Sequence, residues 1–178
     1  MSEQKKMSAP QRRKLIIDRL KPAEEPITGS EFAEIANVSR QVIVQDVSIL
    51  KAKGEQIIAT SQGYMYVSDD HSNLESRIIA VQHVSDHVRE ELYMIVDHGV
   101  TVKDVLVEHA VYGDLRASVM VSTRAEVDQF VTAITKTNAA YLLTLTEGVH
   151  LHTLEADSTD KIDAACAALK KANFLLEM

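Results

Sequence analysis

Residues 28–54, TGSEFAEIANVSRQVIVQDVSILKAKG, carry two apolar periods of helical spacing separated by the short step Asn37-Val38-Ser39. Phe32, Ile35 and Ala36 define the first, and Val42, Ile43, Val47, Ile49 and Leu50 define the second. Ser39 stands where an N-cap is needed, and Gly54 where a helix ends. Two short helices joined by a turn of about three residues have few ways to pack, and the helix-turn-helix is the one this spacing matches. Upstream, SAPQRRKLIIDRLK sets Leu15, Ile16, Ile17 and Leu20 at helical spacing behind a basic outer face, and Pro22 and Pro26 end it. Downstream, QIIATSQGYMYV reads as a hairpin turning at TSQG. Three helices followed by a hairpin describe a winged helix. Its recognition helix presents N-terminal residues to base edges. Ser39, Arg40 and Gln41 hold those positions, with Gln45 one turn further along. Gln reads adenine through two hydrogen bonds, and Arg reads guanine or a phosphate. Lys51 and Lys53, at the other end, meet phosphate or only water.

The net charge of −7 argues against nucleic acid until its distribution is considered. Residues 1–68 hold 10 Lys/Arg against 8 Asp/Glu, whereas residues 69–178 hold 9 against 18. This asymmetry predicts two domains with different partners, 1–70 and 71–178, meeting at the polar stretch SDDHSN of residues 68–73. The slight positive excess of the first predicts few phosphate contacts per subunit, which a homodimer on a two-fold site would double. Hydrophobic residues make up 46% of the chain, enough for packed cores. No apolar run approaches the ~18 residues of a membrane span, and the N-terminus lacks an apolar signal core. A single cysteine, Cys166, permits no intrachain disulfide, so a reduced, cytoplasmic setting with no membrane partner is expected. Within KIDAACAALKKA, Cys166 reads as a packed helical position.

From residue 76 the pattern mixes strands and helices. SRIIAVQHV (76–84) reads as a strand, SDHVREELYMIVDHG (85–99) as a helix N-capped by Ser85, and residues 100–113 and 114–123 as strands. RAEVDQFVTAITKTN (124–138) reads as a helix, YLLTLTEGVHLHTLEA as one or two strands, and the C-terminal segment as a helix. The fold class expected is therefore α+β: a winged helix-turn-helix followed by a split βαβ arrangement, an antiparallel sheet covered by helices. Within EGVHLHTLEA, His150 and His152 lie two apart on a strand and so share a face. A metal ion would explain the pair, and so would a solvated strand face. His83 falls near the end of the first strand, Glu91 eight residues on in the next helix, and His109 at the end of the long strand. His71, His87 and His98 look peripheral.

The winged helix together with AVQHVSDHVREELYMIVDHG, EHAVYGDL and EGVHLHTLE resembles the niacin-responsive transcription repressors, which carry a helix-turn-helix and a C-terminal three-histidine (3H) domain. The resemblance runs from about residue 10 to the end. It implies a repressor of genes for NAD biosynthesis or niacin uptake, not an enzyme, with operator DNA as target and nicotinic acid as co-repressor. It also implies a divalent transition metal, nickel or zinc, on His83, Glu91, His150 and His152. The family's third histidine block reads His-Pro-Val-Tyr-Gly, and here it is His109-Ala110-Val111-Tyr112-Gly113, with the proline lost. Nicotinic acid offers a carboxylate and a ring nitrogen. With one on the metal, the other needs a partner, for which His109, Tyr112 and Arg116 are the candidates. Two other readings stand beside this one: a regulator that senses the metal itself, and a metal-dependent hydrolase.

Overall fold

The computed structural model describes residues 6–67 and 73–176, and the chain divides into two compact units, residues 1–70 and 71–178. His71, assigned to the linker, lies outside the described residues.

The first unit contains α1 (Ala9–Leu20), α2 (Gly29–Ala36), α3 (Arg40–Ala52), β1 (Ile57–Thr60) and β2 (Gly63–Tyr66). Thr28 and Glu31 form a reciprocal capping box at α2: the Thr28 hydroxyl accepts from Glu31 N at 3.1 Å, and the Glu31 carboxylate accepts from Thr28 N at 2.8 Å. Asn37 ends α2 in the left-handed conformation and opens the turn to α3. Ser39 occupies the N-cap position of α3, but its side chain makes no capping bond. Ile16, Leu20, Phe32, Ile43, Val47 and Leu50 bury between the helices. Each such side chain contributes about 1.5–3 kcal/mol of transfer free energy. Two apolar assignments differ from expectation: Ile35 and Ile49 are exposed. The inward position on α3 that periodicity did not identify belongs to Asp46. Arg12 meets it at 2.6 Å and Arg13 at 3.8 Å. Part of the expected basic face of α1 thus turns inward to neutralise a buried acid.

Strands β1 and β2 pair as an antiparallel hairpin, and Ile27 bridges to Tyr64 as a third short rung. That rung requires Gly63. A Cβ there would stand 2.6 Å from the Ile27 carbonyl oxygen.

The second unit runs β3 (Glu75–Gln82), α4 (Val88–Val96), β4 (Thr101–His109), β5 (Gly113–Val121), α5 (Arg124–Thr137), β6 (Val149–Ala156) and α6 (Thr159–Lys171). Its sheet is antiparallel in the order β3-β6-β4-β5. The last strand lies between β3 and β4, which run parallel to each other: a split βαβ around α4, as the alternation of elements predicts. Along β6, burial alternates strictly, with His150, His152, Leu154 and Ala156 on the buried face. Apolar residues of all three helices join that face in one core, among them Leu92 and Ile95 of α4, Val127 of α5, and Ile162 and Leu169 of α6.

Two local readings need correction. The segment expected to begin as an α-helix at Ser85 begins instead as a 3-10 turn, Ser85–His87, with His87 N donating to Val84 O at 3.1 Å; α4 follows it. Leu142–Thr146, expected as strand from its leucines and threonines, is also 3-10. There Thr144 and Thr146 turn their hydroxyls back to the carbonyls of Tyr141 and Leu143, which satisfies the backbone locally in place of a ladder.

Candidate functional site

On α3 the exposed positions are Arg40, Gln41, Gln45, Ser48, Ile49, Lys51 and Ala52, with Ser39 exposed just before the helix. Asp46, Val47 and Ile43 face the core. All four residues assigned to DNA contact therefore share the outward side of the second helix of the helix-turn-helix.

The buried polar groups of the second unit converge on Glu91. This carboxylate, 1% exposed, sits on the inner face of α4 between Val88 and Leu92. His83, just past β3, places Nε2 at 2.7 Å from Glu91 Oε2; His150 Nε2 lies 3.4 Å from the same oxygen, and His152 Nε2 lies 3.3 Å from Oε1. Candidate ligand atoms of His83, Glu91 and His150 fall within 4.8 Å of one another, and His152 approaches the other carboxylate oxygen. The sheet register explains the gathering, because Val81 pairs with His150 and Ile79 with His152, which brings the end of β3 beside the β6 histidines.

The far sides of the rings fix their chemistry. Nδ1 of His83 donates to Val84 O at 2.9 Å, Nδ1 of His150 to Gly148 O at 2.9 Å, and Nδ1 of His152 to Asp104 O at 2.6 Å. A neutral imidazole that donates from Nδ1 has a lone pair on Nε2. Three lone pairs thus face one carboxylate. Such a cluster of acceptors is stable only around positive charge, supplied by protons on the imidazoles or by a metal ion. Glu91 Oε1 and His152 Nε2 are buried without a hydrogen-bond partner, their approach being poorly aligned for one. Ligand atoms about 2.0–2.1 Å from a common ion stand roughly 3 Å apart, close to the separations found here. The donors present therefore fit a divalent cation.

Electrostatics agree. Burial pushes the Glu91 carboxyl upward, but the nearby His152 charge and the hydrogen bonds with His150 and His83 outweigh it and hold the group well below its ordinary 4.5. Burial likewise opposes charge on His83 and His152, and Glu91 reverses the sign, so both are raised above 6.5.

Three further residues build the site. Gly148 has φ +92, its carbonyl accepts from His83 N and from His150 Nδ1, and a Cβ there would stand 2.3 Å from the His83 carbonyl oxygen. Only glycine fits. Asp104 lies where β4 slips register against both neighbours. Its carbonyl orients His152, its carboxylate accepts from Thr153 N at 3.1 Å, and Arg116 meets its other oxygen at 2.7 Å. Val84 supplies the carbonyl for His83. Sequence offered a signal for the glycine, which directly precedes Val149-His150, and none for the bulge.

Beside the cluster opens a cavity of about 230 Å³, bordered by Glu91, His150 and His152 and otherwise walled mainly by apolar side chains of α4, β4, β5 and α5 and of residues 140–143, with Ser118 and Tyr141 as its other polar side chains. His109, Tyr112 and Arg116 are not among its lining residues. His109 instead closes the β4–β5 turn, its Nδ1 accepting from Val111 N and Tyr112 N; Tyr112 is 76% exposed; Arg116 pairs with Asp104. Of the histidines read as peripheral, His87 pairs with exposed Glu90 and His98 donates to Met94 O near the end of α4.

A winged helix-turn-helix joined to a regulatory α+β unit defines a class, the DNA-binding transcription regulators. The sequence relationships agree: residues 12–65 match the HTH domain, and residues 76–178 match the 3H domain. The chain is 53% identical over 180 residues to Transcription repressor NadR of Bacillus subtilis (strain 168), covering 99% of each. It is 41% identical over 167 residues to Probable transcription repressor NiaR of Thermotoga maritima, covering 94% of each. The chain belongs to the 3H-domain transcription repressors and is a DNA-binding regulator rather than an enzyme. Among the described residues, no helix is long and apolar enough to cross a membrane.

Proposed function

We propose that the chain represses genes of NAD biosynthesis or niacin uptake as a homodimer, with nicotinic acid as co-repressor and a divalent metal in the 3H domain. The observation that carries the metal reading is the convergence of three Nδ1-tethered imidazoles on one buried carboxylate. His83, His150, His152 and Glu91 would hold the ion. Three nitrogens and one oxygen suit nickel or zinc. When bound, such an ion supplies a fixed positive charge and an open position for a ligand. The chain's own carbonyls at Val84, Gly148 and Asp104 orient the rings. Ser39, Arg40, Gln41 and Gln45 would contact the operator. The cavity favours a small organic effector over the metal as the only signal, since an ion sensor needs no apolar chamber beside its ligands. The test is elemental analysis joined to operator binding. The double variant His150→Ala/His152→Ala should lose the metal and with it the response to nicotinic acid. Retention of full metal content would refute the ligand set.

A further inference from the structure

We infer that Phe174 is a positioning residue of the cluster: the C-terminal segment 173–176 straps its ring over His83, which keeps water and competing ligands off that imidazole and so retains the metal. The inference rests on the metal reading above and adds the element that closes the site.

His83 needs a cover that the sheet does not supply. It stands one residue past β3, an edge strand, and beyond the last rung, Gln82 with Val149. A side chain there has a neighbouring strand on one side only, yet that of His83 is 1% exposed. Phe174 lies against it, with ring centroids 4.9 Å apart and planes tilted by 48°. The same ring meets His87 at 5.4 Å, and the His87 side chain is 48% exposed. One apolar ring thus touches both a buried candidate ligand and a surface histidine, and it stands at the boundary between cluster and solvent.

Backbone hydrogen bonds hold the ring there. After α6, Asn173 takes φ +60, the left-handed conformation that reverses a chain at a helix end. Phe174 N then donates to Leu169 O at 3.0 Å. Gln82 N donates to Phe174 O and Leu176 N to Ala80 O, both at 2.9 Å, on either side of an antiparallel bridge between Val81 and Leu175. The segment is therefore a short extra rung that covers part of the β3 edge. Its register sets Phe174 opposite Gln82, next to His83.

Release of an ion from such donors begins when water or another ligand reaches one of them, and the apolar groups around a metal site govern that access. Nδ1 of His83 is tied to Val84 O and Glu91 stands at its Nε2, so the face of the ring is what remains to be covered. A phenyl ring covers it without offering a competing donor. Phe174 also belongs to the apolar core, so cover has to be separated from bulk.

The experiment uses the full chain loaded with zinc. Phe174→Ala should speed zinc release to excess EDTA by about tenfold or more, and Phe174→Leu, which keeps apolar bulk, should stay within about threefold of wild type. Val127→Ala, a cut in the same core on α5, should leave the rate unchanged. In the metal-free chain, carbethoxylation of the histidines is read by mass spectrometry. Phe174→Ala should raise it about tenfold at His83, with His87 reactive throughout and His152 still protected. Equal release rates in Phe174→Ala and Val127→Ala, or a like rise at His83 and His152, would overturn the inference, since either marks general loosening. Leu176→Pro removes one donor of the strap and no buried side chain. It should quicken release about threefold or more, and it decides the question should Phe174→Ala fail to fold. A wild-type chain that takes up no zinc would refute the metal reading and the retention role with it; the cover of His83 by Phe174 would then stand or fall on the carbethoxylation rates.

Discussion

At the scale of single residues, Glu91 organises the regulatory unit: its charge is buried, and three imidazoles make that burial tolerable. The linkage signs follow. The carboxyl of Glu91 is held below 4.5, so its contribution is present above that pH and is lost as the pH falls through its lower folded value. His83 and His152 are raised above 6.5, so their contribution is full below 6.5 and is lost as the pH rises through their folded values. The metal-free chain should therefore lose melting temperature as the pH rises above 6.5. The metal-loaded chain should hold or gain, since the ion requires neutral imidazoles. Thermal melts across pH, with and without chelator, check this; parallel curves would contradict it. Gly148→Ala should strain the backbone by about 1–3 kcal/mol and displace His83 from His150. Metal content and melting temperature should both fall, while His98→Ala leaves metal content at the wild-type value.

At the scale of elements, α3 is an outward row of polar side chains on an apolar back, and the back was the legible part. Periodicity identified α3 and most of its buried face but misplaced Ile49, because Asp46 takes an inward position and pairs with Arg12. A buried ion pair between two helices has no local sequence signature. The same limit hid the 3-10 segment Leu142–Thr146, whose residues also suit a strand, and the register slip at Asp104. Alternation did reveal β6 and its two histidines, since a two-residue period is a local property. Arg40→Ala and Gln41→Ala should each cost about 1–3 kcal/mol at a specific operator, measured by fluorescence anisotropy. Loss at every sequence alike would assign these residues to phosphate instead. Arg12→Ala leaves Asp46 buried with only Arg13 at 3.8 Å, and should destabilise the first unit by about 1–3 kcal/mol in denaturant melts without direct loss of a base contact.

At the scale of the whole molecule, the chain pairs a DNA-binding unit with a unit whose buried cluster and cavity adjoin, and the proposed repressor works only if the two are energetically coupled. A co-repressor must bind the DNA-competent state more tightly than the other, and the coupling is reciprocal. The central claim is that metal and nicotinic acid together raise operator affinity. The most direct measurement is operator binding by the full chain in four conditions: metal-loaded or chelated, each with and without nicotinic acid. Nicotinic acid should raise operator affinity tenfold or more in the metal-loaded chain and leave it unchanged after chelation. Equal affinity in all four conditions, or an undiminished gain after chelation, would contradict the claim.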